Sequence, residues 1–197
     1  MKRFTAILAL MLTGCMGTAN LPPVKYYVLS DAGPAPRGRP AALKSRVLVV
    51  QATSVSAFYD SQRLVYSRAA GERAYYQFAA WTEQPGRAFS ELLSRRLDAP
   101  STSSGVRGDL VLRTRLEELY HDVGVRPGAV RIEVSAELID GSGRLVGERR
   151  RFTRSVPAGE QNAAAAVAAA NRAIAEVLDD IAAWLESPKA TDSVARS

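Results

Sequence analysis

The sequence predicts a single α/β domain, on the border of α+β, with three layers: a mixed, largely antiparallel sheet flanked by two main helices. Three observations lead to this class. Several segments alternate apolar and polar residues as strands do, and two longer segments repeat apolar residues at helical spacing. In addition, Arg46–Ala52 (RVLVVQA) has a continuous apolar centre, which is typical of a strand covered on both faces.

The first part of the domain is predicted to hold strands separated by an exposed loop. Lys25–Ser30 (KYYVLS) is rich in aromatic and β-branched residues and is predicted to be the first strand. Asp31–Ser45 contains three prolines and two glycines, which indicates a loop. Further on, Arg63–Arg68 and Ala74–Ala79 are short strand candidates that a hairpin around residues 70–72 (AGE) joins.

A first helix is predicted after these strands. Thr82 is expected to cap it, and Pro85 is tolerated in its first turn. Its apolar residues form one stripe at helical spacing: Ala88, Phe89, Leu92, Leu93 and Leu97. Ala99–Gly108 (APSTSSGVRG) then indicates a loop.

The second half is predicted as a three-stranded meander followed by a long helix. The strands are Asp109–Tyr120, Ala129–Asp140 and Arg144–Val156, and a turn at residues 140–143 joins the last two. Glu160–Glu186 is rich in alanine and indicates a helix that Pro188 ends. The residues expected to face the core from this helix are Val167, Ala170, Ile174, Val177, Leu178, Ile181 and Leu185.

The composition is that of a folded soluble protein. Of 197 residues, 47% are hydrophobic and 23% are charged, which excludes a fully disordered chain and a multi-span membrane protein. The single cysteine excludes a disulfide framework and a zinc site built from cysteines. The single histidine argues against a Ser-His triad. The net charge of +6 is modest, and part of it comes from Lys2 and Arg3, which belong to a predicted leader.

The N-terminus has the pattern of a secretory signal. Lys2 and Arg3 precede the eleven-residue apolar run Phe4–Gly14, which is shorter than the roughly 20 residues that a membrane-spanning helix needs. The run ends in residues 12–15 (LTGC), which resemble the lipobox of bacterial lipoproteins. The resemblance implies that the thiol of Cys15 receives a diacylglycerol, that cleavage falls before Cys15, and that its new amino group is acylated.

This resemblance implies domain limits and a location. Residues 1–14 are the expected signal peptide, 15–24 the lipidated cysteine and tether, 25–186 the folded domain, and 187–197 a disordered tail. No cofactor or metal is expected beyond the covalent lipid. Met16 stands where Asp marks inner-membrane retention in enterobacteria, which favours the outer membrane, facing the periplasm, and leaves inner-membrane retention open. Export also argues against a nucleic-acid partner.

No part of the sequence has the arrangement of a catalytic or metal site. His121 and Asp122 lack a nucleophile or further ligands nearby, and they are interpreted as exposed loop residues. The acidic pairs at 117–118 and 179–180 are neighbours whose side chains diverge, so solvated surface is expected for both. Residues 141–147 are rich in glycine but lack the spacing of a nucleotide-binding loop. The protein is therefore expected not to be an enzyme.

Two sets of residues are candidates for contact with other molecules. Seven of the fourteen aromatic residues lie within residues 58–81, and exposed aromatics beside charge are typical of an interface. The predicted partner-binding residues are Tyr66, Tyr75, Tyr76, Phe78 and Trp81. A weaker set is basic and consists of Arg149, Arg150, Arg151 and Arg154. These arginines either blunt a sheet edge or contact acidic lipid head groups or an acidic partner.

Several segments, taken in order, resemble the family of ABC-type transport auxiliary lipoproteins. Residues 26–30 (YYVLS) are similar to its "YYxL" opening, and Phe58–Arg68 (FYDSQRLVYSR) is similar to its "yLdrpqivyR" segment. An aromatic strand ending in Ala80-Trp81 and the pattern Glu83-x-Pro85 follow. The likeness covers Lys25–Glu186, and its specificity comes from the order of the segments together with the lipobox. Residues 61–62 (SQ) replace the usual Arg-Pro, a change confined to a local turn.

The family resemblance implies a three-layer α/β sandwich and a non-enzymatic accessory subunit. Family members are directed to the outer membrane and are encoded with an ATPase, a permease and an MCE-domain protein. They are thought to help move phospholipid or other hydrophobic molecules between the two membranes. The expected partners are the MCE-domain protein with its permease and ATPase, the membrane, and further copies of this chain. One alternative is a lipoprotein that carries lipid in its own apolar cavity, and a third reading is an envelope hydrolase.

Overall fold

The structure, a computed structural model, describes residues 21–33 and 40–187. The predicted signal peptide, Cys15 and the first part of the tether lie outside the described residues, as do residues 34–39 of the predicted loop and the tail after Ser187. Within the described part, no helix has both the length and the apolar character needed to cross a bilayer.

Eight strands and two α-helices make up the regular structure of the described residues. The strands are β1 (Lys25–Tyr27), β2 (Leu48–Val50), β3 (Ser54–Val55), β4 (Arg63–Ser67), β5 (Ala74–Trp81), β6 (Leu110–Asp122), β7 (Ala129–Asp140) and β8 (Leu145–Pro157). The helices are α1 (Pro85–Leu97) and α2 (Ala163–Glu186). The predicted class, a single α/β domain with a mixed sheet and two helices, is confirmed.

All eight strands belong to one sheet whose main order is β1-β5-β4-β6-β7-β8. Strands β2, β3 and β4 pair in succession with one side of β6, all in parallel, so that together they act as one interrupted strand. The β4/β5, β6/β7 and β7/β8 pairs are antiparallel, whereas β1 is parallel to β5. The sheet is therefore open, with β1 and β8 at its two edges.

Both helices lie on the same face of the sheet. Helix α1 contacts α2, and the guanidinium of Arg96 bonds Asp179 across them at 2.7 Å. The opposite face carries charged residues at the outward positions of β6 and β7, such as Arg113, Glu133 and Glu137. A second helical layer would strip water from these charges, which is costly without compensating partners. We call this uncovered side the open face.

The core between the sheet and the helices follows the predicted apolar stripes. Every residue predicted to face inward from either helix is buried, including Phe89, Leu93 and Ile174, which have no exposed surface. Strand β2 is buried on both faces, as its apolar run predicted. Leu48 and Val50 join the core under the helices, and Val49 is buried on the other side.

The start of α1 differs from the prediction. Gln84, not Thr82, is the residue at the N-cap, and Pro85 occupies the first turn. The backbone N–H of Thr82 donates to the carbonyl of Tyr27, and the carbonyl of Thr82 accepts from the side chain of Gln62. These bonds keep Thr82 in an extension of the sheet. Helix α2 begins after Asn162, whose side chain accepts from the N–H of Ala165.

Arg96 connects three parts of the fold from within the core. Its side chain has no exposed surface, its Nε lies 2.9 Å from Asp31 after β1, and its Nη1 lies 2.7 Å from Asp179 on α2. Asp179, expected at the solvated surface, is thus partly exposed and ion-paired to the buried Arg96. Because the planar guanidinium offers donors in several directions, one arginine fixes the segment after β1 and both helices together.

Candidate partner-binding surface

The predicted partner-binding aromatics separate onto different sides of the sheet. Tyr66 is the cross-strand partner of His121, which faces the helices, whereas Tyr75 is the partner of Val65 on the open face. Cross-strand partners point to the same side, so one surface does not hold all five rings. The reason is a bulge in β5, where the five steps from Tyr75 to Ala80 lie opposite two steps of β4.

The prediction that Trp81 binds a partner is wrong. Its side chain is only 4% exposed and belongs to the core beside Ala79, so it supports the fold and is not offered to a partner. Tyr76 and Phe78 are half-buried, and Tyr76 packs against the core. Of the predicted residues, Tyr75 is therefore the one whose ring lies in an aromatic group on the open face.

That group is a stack of three side chains. The ring of Tyr75 lies 4.6 Å from the ring of Phe58 with only 6° between their planes, and the guanidinium of Arg63 sits 3.7 Å above Tyr75. The Tyr75 hydroxyl donates to the carbonyl of Phe58 at 3.0 Å. Phe58 remains 38% exposed. The stack thus presents a fixed aromatic surface to solvent, with a cation beside it.

A second arginine, Arg73, lies directly before β5 and contacts residues beside the stack. The Nε of Arg73 donates to the hydroxyl of Tyr59 at 2.8 Å, its Nη2 donates to Glu118 at 2.9 Å, and its guanidinium lies 3.7 Å from the centre of the Tyr120 ring. Burial raises the pKa of Tyr59 and of Tyr120, so both remain neutral phenols. We name these residues the aromatic–arginine cluster: Phe58, Tyr59, Arg63, Arg73, Tyr75 and Tyr120.

Next to the cluster, a groove of about 210 Å³ on the open face is lined by alternating charges. At its centre, Glu117 accepts hydrogen bonds from Ser56, Arg115 and Ser135. Burial opposes ionisation of Glu117, yet these bonds outweigh it and hold the pKa of the carboxyl below its ordinary value. A bulge between Leu116 and Glu118 places both glutamates on the open face, contrary to the expectation that they diverge.

The basic set on β8 divides between the two faces of the sheet. Arg149 pairs with Glu137 at 2.7 Å and Arg151 with Glu133 at 3.3 Å on the open face. On the helix side, Arg154 pairs with Glu176 and Asp180. Asp180, predicted to be solvated, is thus ion-paired.

Arg150 is the member of this set without a carboxylate partner among the described residues, and it lies over the ring of Phe152. With most of its charge matched within the chain, the strand presents little free positive charge to a lipid head group.

His121 was expected in an exposed loop, but it is a buried residue of β6. It is 1% exposed, its Nδ1 lies 2.7 Å from the hydroxyl of Tyr76, and no described residue bonds its Nε2. Burial lowers the pKa of His121 and raises the pKa of Tyr76 to about 12. The bulge in β6 explains the error, because it turns the last residues of the strand over so that Leu119 and His121 face the helices.

Sequence reasoning missed Arg63, Arg73 and Tyr120 as members of the site. Arg63 is the first residue of β4, and Arg73 directly precedes β5. The sequence pattern does not fix strand ends closely, and no local motif pairs these arginines with aromatic rings. A usable signal existed in Tyr120, which is an aromatic residue in a strand that otherwise points charges outward.

Among the described residues, no cluster is arranged to hold a metal ion, and the apolar cavity between the sheet and α2 is far smaller than a lipid. No group of three or more His, Cys, Asp or Glu residues in this part of the chain is arranged to hold a metal ion. A cavity lined mainly by apolar residues, among them Leu64, Trp81 and Leu119, has a volume of about 10 Å³. Pockets for small molecules usually measure about 300–1,000 Å³.

Comparison with solved structures supports the fold. A Xanthomonas campestris protein of the DUF330 family is 21% identical, with a TM-score of 0.75 over 88% of this chain and all of the other. An uncharacterised protein is 16% identical, with a TM-score of 0.66 over 83% of this chain and 99% of the other. A PelC dodecamer from Paraburkholderia phytofirmans is 21% identical over 74% of this chain and 88% of the other, but its TM-score of 0.39 is too low to carry an argument.

Comparison of the sequence with curated proteins gives no match. The family model described as the ABC-type transport auxiliary lipoprotein component, in contrast, matches residues 27–182, from β1 through most of α2. This range includes the whole aromatic–arginine cluster, helix α1, most of α2 and the buried Arg96. Because the match covers most of the chain, the protein belongs to the family of ABC-type transport auxiliary lipoprotein components.

Proposed function

We propose that this auxiliary lipoprotein is a non-enzymatic docking subunit of an ABC/MCE-type system that moves phospholipid or other hydrophobic molecules between the inner and outer membranes. In this role it binds the MCE-domain protein, which works with the ABC permease and ATPase. The observation that carries the proposal is the exposed stack of Phe58, Tyr75 and Arg63 on a sheet face that neither α1 nor α2 covers. Aromatic residues and arginine are the residue types enriched at the centres of interfaces.

The proposed anchor is a diacylglycerol and an N-acyl chain on Cys15, as the sequence LTGC at residues 12–15 implies. Two or more acyl chains hold a protein on a membrane far more firmly than one chain does. Met16 favours the outer membrane over inner-membrane retention. The docking subunit would then stay at the membrane that receives or supplies the cargo, and the MCE assembly would come to it.

A carrier role fits the structure less well than a docking role. A carrier must enclose the acyl chains of its cargo, whereas the apolar cavity beside Leu64 and Trp81 is no larger than a single water molecule requires. The residues around it come from both the sheet and α2, and they belong to the packed core. Opening a lipid-sized space there would separate the helix from the sheet.

The docking proposal is tested by capture of the MCE-domain protein from the same bacterium with the full acylated chain in detergent. The test variant is Phe58→Ser/Tyr75→Ser, and the control is Leu145→Ser, which removes an exposed apolar side chain of β8. We expect the test variant to bind at least tenfold more weakly than wild type, because truncating central aromatic contacts costs about 1.4 kcal/mol or more.

Equal capture by wild type and the double variant would overturn the docking surface. The same preparations, weighed by light scattering, measure whether several copies assemble into the proposed homo-oligomer. Native mass spectrometry of the purified chain addresses the carrier role, because a co-purifying phospholipid in one-to-one ratio would favour it.

A further inference from the structure

The first described segment carries an unusual stripe of exposed apolar side chains. Tyr27 and Leu29 point into the core, and the alternate residues Val24, Tyr26 and Val28 point outward. Tyr26 is 65% exposed and Val28 is 60% exposed. We call Leu21, Val24, Tyr26 and Val28 the N-terminal stripe, since Leu21 is exposed as well.

These outward positions would be polar if they faced only water. In a strand covered on one side, the solvated positions usually carry polar residues, as β7 shows with Arg131, Glu133 and Glu137. The described residues have nine large exposed apolar side chains, and four of them lie in the N-terminal stripe. The apolar character is therefore concentrated beside β1, which is an edge strand with one side unpaired.

The length of chain before the stripe limits what can cover it. Five residues separate Cys15 from Leu21 in the sequence. Fully extended, the six steps between these two residues span at most about 20 Å. If the acyl chains of Cys15 lie in the bilayer, the N-terminal stripe begins no further than this from the lipid head groups.

We propose that the N-terminal stripe lies in the interfacial layer of the membrane that holds the acylated Cys15. Aliphatic side chains and the amphipathic ring of tyrosine are suited to the boundary between acyl chains and head groups. Lys25 is exposed on the other side of the same edge strand, where Ala79 is its cross-strand partner, and its long stem lets the ammonium group extend toward the phosphates of anionic lipids. This inference rests on the proposed acylation of Cys15.

The contact orients the whole domain. Tyr26 is the cross-strand partner of Ala80, and Ala80 is the partner of Arg63, so the stripe and the stack share the open face. Neighbouring strands are about 4.8 Å apart, which puts the stack roughly 10 Å from the stripe along the sheet. With the β1 edge at the membrane, the aromatic–arginine cluster binds its partner close to the lipid surface, and the β8 edge points away.

The experiment places single tryptophans in the full acylated chain and measures quenching by lipid. Tyr26→Trp and Val28→Trp report on the stripe, and Leu145→Trp is the matched control because that side chain is 45% exposed on the opposite edge. Each protein is reconstituted into vesicles of phosphatidylethanolamine and phosphatidylglycerol with brominated acyl chains. Trp81 and Trp184 are buried and give a constant background that wild type measures.

We expect the bromolipid to reduce the added emission of Tyr26→Trp and Val28→Trp at least twofold and to leave that of Leu145→Trp unchanged. Equal emission of the stripe variants in brominated and ordinary vesicles, in protein that floats with the vesicles, overturns the stripe contact and leaves the anchor intact. That result would favour a protein partner or a second copy on the stripe. Protein that does not float overturns the acylation and the stripe contact together.

Discussion

The hydroxyl of Tyr76 lies 2.7 Å from Nδ1 of His121, in the part of the sheet that α2 covers. The two rings lie 6.3 Å apart with 16° between their planes, and Tyr66 closes the group from β4 with its ring 5.0 Å from that of Tyr76. The pair joins β5 to β6, which do not pair directly. Among the residues that the structure describes, none bonds the buried Nε2 of His121, which favours the neutral form of the imidazole in the folded protein.

The neutral state of His121 predicts that acid weakens the fold. Burial lowers its pKa below the ordinary 6.5, and the carboxylate of Asp122 offsets this only in part. As the pH falls below about 6.5, the unfolded chain binds a proton that the folded chain does not, so the free energy of unfolding decreases. The slope approaches about 1.4 kcal/mol per pH unit. Urea unfolding between pH 7.5 and 5.5 measures it.

Because His121 is the single histidine of the chain, its imidazole gives one NMR signal to follow. We expect that signal to titrate with a midpoint below 6.5 in the folded protein. The control variant His121→Gln removes the imidazole, and its unfolding free energy should lose the slope in this range. A titration midpoint at or above pH 6.5 in folded protein would contradict the assignment.

Gly128 is predicted to be irreplaceable because of its contact with the same imidazole. Its φ of 116° is rarely adopted by other residues, and a Cβ there would lie 2.6 Å from Nε2 of His121. We expect Gly128→Ala to lower the free energy of unfolding by about 2 kcal/mol or more. Thermal and urea unfolding measure the loss.

Gly105 is the matched control for this substitution, since its φ is 75° and no atom lies within 4 Å of an added Cβ. Gly105→Ala should cost only the backbone term, about 1–2 kcal/mol. A loss for Gly128→Ala no greater than for Gly105→Ala would show that the imidazole moves aside easily.

Arg96 is predicted to be the most sensitive charged residue in the fold. Arg96→Ala leaves Asp31 and Asp179 facing one another without a cation, and we expect a loss of about 3–5 kcal/mol in the free energy of unfolding. Arg96→Lys keeps a charge but not the fork that reaches both carboxylates, so its loss should be smaller. Arg87→Ala removes an exposed ion pair with Glu91 on the same helix and should lower the free energy of unfolding by less than about 0.5 kcal/mol. Similar losses for Arg96→Ala and Arg87→Ala would contradict the role of the cluster.

The elements of this fold follow from local patterns, whereas the faces of the strand ends do not. Alternation in β7 and the apolar stripes of both helices predicted the buried residues correctly. The errors at His121 and Glu118 have one cause, the bulge after Leu116, which reverses the alternation and has no local signature in the residues that form it. The same kind of irregularity in β5 divided the predicted aromatic site.

The layering and the cluster depend on contacts between distant parts of the chain. Two amphipathic helices can pack on one face of a sheet or on both faces. The cross-strand charge pairs of the open face, such as Arg149 with Glu137, favour packing of both helices on the other face. The aromatic density near residue 75 includes Tyr75, which lies in the aromatic–arginine cluster. Its arginines were out of reach, because Arg73 joins Tyr59 and Tyr120, which are 14 and 47 residues away in sequence.

Cys15 is predicted to be the sole attachment of lipid. Growth with an alkyne-tagged fatty acid should label the wild-type chain, and Cys15→Ala should lose the label, because no other cysteine exists. The variant should also fail to float with membranes, since a stripe of four side chains binds far more weakly than two or three acyl chains. Persistent labelling of Cys15→Ala would contradict the lipobox assignment.

Arg73 is predicted to hold the aromatic–arginine cluster in place. Arg73→Ala removes the donor to Tyr59, the ion pair with Glu118 and the cation above Tyr120. Glu118 is partly exposed, so water can replace its lost partner. Tyr59 is buried, and its hydroxyl is left without the donor that Arg73 supplied, so we expect a loss of about 1–3 kcal/mol in the free energy of unfolding. The near-ultraviolet circular dichroism of the tyrosines should weaken as their environment loosens.

The control for this change is Arg68→Ala, whose exposed guanidinium lies 5.1 Å from the ring of Tyr66 and should contribute less than about 0.5 kcal/mol. Arg73→Lys should fall between the two, because an ammonium group cannot make all three contacts at once. If Arg73→Ala weakens capture of the MCE-domain protein while unfolding free energy stays within 0.5 kcal/mol of Arg68→Ala, the arginine acts at the interface itself and not as a support. Losses in both measurements are expected, because Arg73 holds Tyr59, whose ring packs edge-on against Phe58 of the stack.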